Sequence, residues 1–208
     1  MTDKTAAAAD VGGQGRTFPG PAEGPSHIND GAYDRIESFL DRIRSRTEAG
    51  NLSDVELQAV QRFVHREARL LDLRRYEAWI SLFVDQLIYW VPSTHEAHRL
   101  HRTASINFDD RRRLLDRIAF IQTGVQCAQI PPSRTCRMVS NIEGWSGDDS
   151  VVEVRSNITI WEHRRERNCF VGVQSFRLRG GIDAYRIEMK IIDLVNSIDP
   201  QGNNSFII

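Results

Sequence analysis

Lysine is nearly missing from this 208-residue chain. Of 27 basic residues only Lys4 and Lys190 are lysines, and the rest are arginines. The planar, weakly hydrated guanidinium suits partly buried ion pairs and subunit contacts, although a base composition favouring arginine codons accounts for the same excess. Cysteine is scarce too. Cys127, Cys136 and Cys169 are an odd number, which speaks against a disulfide framework and for a reducing compartment. They show no C-x-x-C, C-x-H or C-x-x-H spacing, so all three are expected to be small buried apolar residues and not ligands. Neither charge sign dominates: 27 cationic against 28 acidic residues leave a net charge of −1 and no global footprint for nucleic acid. No run approaches the ~18 apolar residues that cross a bilayer. The opening MTDKTAAAADVGGQGRTFPG is too polar for a signal peptide, so a cytoplasmic location is expected. A Walker loop, a G-x-G-x-x-G and a G-x-S-x-G are also lacking, which removes the commonest phosphate-cradling and nucleophile-elbow chemistries.

What is present reads as one domain behind a tail. Residues 1–30 hold five glycines (Gly12, Gly13, Gly15, Gly20, Gly24), three prolines and an alanine run, with almost no large apolar residue before Ile28. Such a stretch cannot offset its ordering entropy, so a flexible tail is expected over 1–30 and a single domain over 31–208. An amphipathic stretch from Tyr33 to Ile43 predicts a short helix, and the main packing is expected from Ser53 onward. Ser53-Asp54-Val55-Glu56 is a capping box, followed by a helical stripe through Val55, Ala59, Val60, Phe63, Val64, Ala68 and Leu71. A short helix follows over Arg74–Phe83. Val84–Val91 is aromatic and β-branched and predicts a strand stopped by Pro92. A further helix is expected from about Asp109 to Gln122, with Gly124 as its C-cap.

Beyond Pro131-Pro132 the pattern turns to strands: Arg134–Glu143, Val151–Glu162, Cys169–Arg179 and Ala184–Val195. Gly147-Asp148-Asp149 and Gly180–Asp183 supply turns. In the second strand Val152, Val154, Ile158 and Ile160 alternate with an outward Glu153, Arg155, Asn157 and Thr159. In the last, Tyr185, Ile187, Met189, Ile191 and Val195 are expected on one face. Helices first and antiparallel strands later predict an α+β fold with helices against one face of a sheet.

Candidate chemistry is sparse. His95, His98 and His101 recur every third residue, and His95 and His98 on one helix face could hold a metal; the strand-ending Pro92 and the surrounding Arg and Glu favour a solvated or interface loop over that site. Asp72 or Asp85 as base with Tyr89 or His95 as acid would serve an isomerase or dehydratase. Arg111-Arg112-Arg113 opens a helix with the wrong sign for its dipole, which a carboxylate on a partner chain would compensate.

Four stretches together point to a family. EARLLDLRRYEAWISLFVDQLIYWVP (Glu67–Pro92), PPSRTCRMVSNIE (Pro131–Glu143), VRSNITIWEHRRERNCFVGVQSFRLR (Val154–Arg179) and RIEMKIIDLVNSIDPQGNNSFII (Arg186–Ile208) resemble the small, or β, subunit of Rieske-type aromatic-ring-hydroxylating dioxygenases. The resemblance covers about Ser53 to Ile208. It departs at Gly172–Phe176, where a more polar run is usual, and at Glu188-Met189-Lys190, where a basic pair is usual. It implies a cone-shaped, NTF2-like α+β fold with three N-terminal helices packed on a curved, mostly antiparallel sheet. It also implies an α3β3 hexamer served by a ferredoxin and a reductase. The Rieske [2Fe–2S] cluster and the mononuclear iron are then expected in the α subunit, with no catalytic, cofactor or metal residue in this chain. Neither nucleic acid nor membrane is an expected partner. Subunit contacts are expected at Trp90, Arg99, Arg134, Arg137 and Trp161, Arg and Trp residues near predicted strand ends. The stand-alone isomerase or dehydratase is the competing expectation, and a pure binding module using the mouth of the cone is a third.

Overall fold

Leu87-Ile88-Tyr89-Trp90-Val91 is an apolar run without a polar break, a composition suited to a strand covered on both faces. In the computed structural model, which describes residues 26, 28–94, 104–122, 131–147, 150–199 and 206–208, this run lies in β1 (Phe83–Pro92) and is covered in that way. Leu87, Tyr89 and Val91 point to one core beneath α2 (Asp54–Asp72), α3 (Tyr76–Ile80) and α4 (Arg111–Gln122). Ile88 and Trp90 point to a second core beneath α1 (Asp30–Ser45).

The sheet adds β2 (Ser105–Asp109), β3 (Arg134–Ser146), β4 (Val151–His163), β5 (Arg167–Arg179) and β6 (Arg186–Leu194) in the order β2-β1-β6-β5-β4-β3. Every neighbouring pair is antiparallel except β1 and β6, which run parallel. The α+β class and the mostly antiparallel sheet are as expected. Helices on one face only are not: α1 sets Ala32, Ile36, Phe39, Leu40 and Ile43 against the face opposite α2–α4. Packing therefore begins upstream of Ser53. Asn29 caps α1, accepting from the Ala32 amide, and extends it beyond the expected 33–43.

The capping box of α2 forms as read, with the Ser53 side chain accepting from the Glu56 amide and Glu56 reaching back. The helix expected from Asp109 starts at Arg111 instead, because Asp109 closes β2, a strand the sequence reading did not anticipate. Asp110 accepts from the Arg113 amide at 2.9 Å and so caps α4. Two of the three arginines of that first turn meet partners in the chain itself: Arg111 lies 3.6 Å from Asp85, and Arg113 donates to the Phe108 carbonyl. Gly124 and the Asp148-Asp149 turn lie outside the described residues.

Two strands depart from simple alternation. Glu153 is buried, not outward, because α1 brings Arg42 (2.9 Å) and Arg46 (3.2 Å) onto its carboxylate. Beside it Trp145 is clasped between the guanidinium groups of Arg46 and Arg155, 5.2 and 5.4 Å from the ring centroid. In β6, Arg177 faces Met189 but Leu178 faces Ile187, so Glu188 is an extra residue. The bulge turns Ile187 toward the first core and Met189 and Ile191 toward the second, so the expected single apolar face does not exist. Arg177 and Arg179 hold Glu188 in place.

Candidate functional site

Between the sheet and helices α2–α4 the first core contains charge. Lys190 on β6 and Glu67 on α2 are both fully buried, with Nζ 2.7 Å from Oε1. The Trp79 indole donates to the same oxygen at 2.6 Å. Burial pushes the Lys190 ammonium below the ordinary lysine range, against the opposing charge and hydrogen bond of Glu67. The ammonium also sits 5.3 Å from the Phe176 ring and 6.0 Å from the Tyr89 ring. Burial, reinforced by the Glu67 charge, raises the Tyr89 phenol well above the usual tyrosine range. The sequence reading passed over this pair. Glu67 follows the helical spacing that puts Phe63, Val64, Ala68 and Leu71 inward, and Lys190 sits inside an apolar strand, so its position was the available signal.

The residues weighed for acid–base chemistry do not gather. Asp85 is an exposed side chain beside Arg111. Asp72 is committed to three donors of β3: the Arg137 amide (2.9 Å), the Arg137 guanidinium (2.6 Å) and the Thr135 hydroxyl (2.8 Å). The Tyr89 hydroxyl donates to the main-chain oxygen of Ile208. His95, with His98 and His101, lies outside the described residues. A Rieske cluster needs two Cys and two His, and the residues described do not fit one. Cys136 and Cys169 flank Trp161 across three strands, and no group of three or more His, Cys, Asp or Glu suited to a metal occurs among the described residues.

The cysteines also correct an expectation. Cys136 is exposed and Cys169 only half-buried; Cys127 lies outside the described residues. Their strand positions place them on the side of the sheet opposite Ile158 and Ile160, beyond the reach of α1. That bare half of the sheet carries the row Cys136–Trp161–Cys169 and, beside it, Met138–Thr159–Val171. Trp161 is 48 %, Met138 53 % and Val171 38 % exposed. Arg134, exposed, ends the face in a third row with His163 and Arg167. The residues expected at subunit contacts thus fall in different places. Trp161 and Arg134 share the bare face. Trp90 is fully buried under α1, its indole donating to the Ser105 hydroxyl at 2.8 Å. The Arg137 side chain is 1 % exposed and turned inward to Asp72 and the main-chain oxygen of Ile207. Arg99 lies outside the described residues.

The chain has relatives. A sequence model described as "Ring hydroxylating beta subunit" matches residues 66–200. The small oxygenase component of the p-cumate 2,3-dioxygenase system of Pseudomonas putida is 31% identical over 158 residues, 72% of this chain and 85% of that protein. The beta subunit of benzoate 1,2-dioxygenase from Burkholderia mallei superposes with a TM-score of 0.60 at 27% identity, covering 77% of this chain and 100% of the other. Naphthalene 1,2-dioxygenase with indole bound gives a TM-score of 0.70 over 87% of this chain and 100% of the matched chain; at 17% identity that likeness bears on the fold alone.

Proposed function

Because this chain belongs to the family of ring-hydroxylating beta subunits, we propose that it is the non-catalytic, structural small subunit of the terminal oxygenase of an aromatic-ring-hydroxylating dioxygenase. The family match over residues 66–200 carries the reading. Its partner is a larger α subunit, in an α3β3 hexamer in the cytoplasm, with residues 31–208 as the supporting domain; the tail expected over 1–30 lies outside the described residues up to residue 25, and Asn29 and Asp30 belong to the start of α1. The α subunit supplies the Rieske [2Fe–2S] cluster and the mononuclear iron. A ferredoxin and a reductase bring electrons from NAD(P)H, and the aromatic ring takes up both atoms of O2 as a cis-dihydrodiol.

This chain's contribution is grip. The bare half of the β3–β4–β5 face offers Trp161 and Met138 as desolvated anchors and Arg134 at its rim. Tryptophan and arginine dominate binding energy at contacts of this kind, and an obligate interface buries upward of ~2,000 Å². The test is co-expression with the α chain, followed by affinity purification and iron analysis. The unaltered chain co-purifies with a larger iron-containing polypeptide, while Trp161→Asp keeps its far-UV spectrum and loses the partner. Stoichiometric iron on the purified chain alone would sink the reading.

A further inference from the structure

Phe206, Ile207 and Ile208 lie inside the first core at 7, 2 and 0 % exposure. No helix or strand carries them. What holds them resembles the contacts of a bound molecule more than those of a structural element. The Phe206 ring meets Phe170 edge to face at 5.5 Å. The main-chain oxygen of Ile207 accepts from Arg137 Nη2, and that of Ile208 from the Tyr89 hydroxyl. The Arg137 guanidinium is almost completely buried and pinned from the other side by Asp72, yet its Nε has no hydrogen-bond partner among the described residues. A single carbonyl on Nη2 leaves the adjacent N–H unused. A carboxylate in the same place would take Nε–H and Nη2–H side by side, the bidentate arrangement a guanidinium favours. Buried polar atoms without partners are uncommon enough to need an explanation, and here the missing partner has a defined chemistry.

We propose that the space filled by residues 206–208 is a binding site for a small aryl-alkyl carboxylate, for which those residues stand in. The ring takes the place of Phe206 against Phe170. The carboxylate lies on Nε and Nη2 of Arg137, with the Tyr89 hydroxyl donating to it. Asp72 orients the guanidinium, and the fully buried Glu67–Lys190 pair forms a fixed polar wall next to Tyr89. The site depends on the interior of this chain alone and stands or falls separately from the assembly with an α subunit.

The test uses the full chain carrying Phe206→Ala and Ile208→Ala, titrated with 3-phenylpropanoate by calorimetry and by tryptophan fluorescence, Trp79 lying 5.9 Å from Tyr89 between ring centroids. Saturable one-to-one binding is expected, at least about tenfold tighter than to the unaltered chain and than propylbenzene binds. Adding Arg137→Lys, which keeps the charge and removes the fork, weakens it by about tenfold. A folded double variant without saturable binding overturns the proposal, as does equal affinity for propylbenzene, which would reveal an apolar void only. If the double variant does not fold, Phe206→Ala alone is titrated by the same criteria. Failure of both to fold with the acid present also counts against it, since a ligand that fits restores the native state by mass action.

Discussion

Replacing Lys190 with methionine keeps most of the side-chain volume and removes the ammonium from a place with no access to water. The Glu67 carboxylate would then be fully buried with the Trp79 indole on Oε1 and nothing on Oε2, which already lacks a partner among the described residues. Removing one member of a buried ion pair costs about 3–5 kcal/mol, because the survivor keeps its desolvation penalty and loses its counter-charge. With a urea slope of about 2 kcal/mol/M, the unfolding midpoint moves down by roughly 2 M. The decisive comparison is the double variant Lys190→Met with Glu67→Gln. The amide still accepts from Trp79 and carries no charge, so the second substitution restores stability, by about 2 kcal/mol relative to Lys190→Met alone. Urea titrations followed by tryptophan fluorescence and far-UV circular dichroism measure both. The reasoning is refuted if Lys190→Met leaves the midpoint within about 0.5 M of the parent, or if the double variant is less stable than the single one.

Three further outcomes follow from other contacts. At Gly172 a Cβ would stand 2.3 Å from the Asp193 carbonyl oxygen and 2.9 Å from the Leu194 Cα, both backbone atoms of β6. Gly172→Ala should therefore cost about 1–3 kcal/mol by forcing β5 from β6, seen as a melting temperature several degrees lower; an unchanged melt contradicts it. Asp72→Ala strands the buried Arg137 guanidinium and should lower stability by about 3 kcal/mol, with faster amide exchange at residues 206–208 as the local sign. Tyr76, Tyr89 and Tyr185 are all raised above the ordinary tyrosine range, by burial first in each case. Unfolded tyrosines release their protons near pH 10 while these retain theirs, so the unfolded state binds fewer protons and stability falls as pH rises through that value. Their tyrosinate absorbance at 295 nm should appear together with unfolding. Smooth ionisation of these rings near pH 10 with a native circular dichroism spectrum would refute it.

The legible parts of this fold were those written in local chemistry. Ser53 and Glu56 announce a helix start three residues apart, and the alternation in Val151–Glu162 announces a strand. What stayed hidden depends on residues far away in sequence. Glu153 looks outward by its strand period and is buried only because α1 crosses that face with Arg42 and Arg46. The bulge at Glu188 obeys a register set by β5, and no local pattern shows where the period slips. The usual burial of cysteine predicts a core position for Cys136 and Cys169. Their exposure follows from where α1 ends, a tertiary fact. Trp90 and Arg137 have the residue types of subunit contacts, but α1 covers Trp90 and the strand parity of Arg137 turns it toward Asp72. The buried ion pair is the hardest to see: Glu67 and Lys190 are separated by 123 positions, and neither belongs to a motif.

The parallel pairing of β1 with β6 also governs how the molecule is made. Ile88 aligns with Met189, so the centre of the sheet closes a loop of about a hundred residues, a costly step that comes late in folding. During synthesis β1 emerges with α1, α2 and α3 already made and pairs with β2 soon after, but its β6 edge stays unclaimed until nearly the whole polypeptide has left the ribosome. A nascent chain of this design needs shelter, from a chaperone or from dilution, between the making of β1 and that of β6. Shortening it before β6 would split the sheet between β1 and β5 and leave two open edges, not a smaller stable protein.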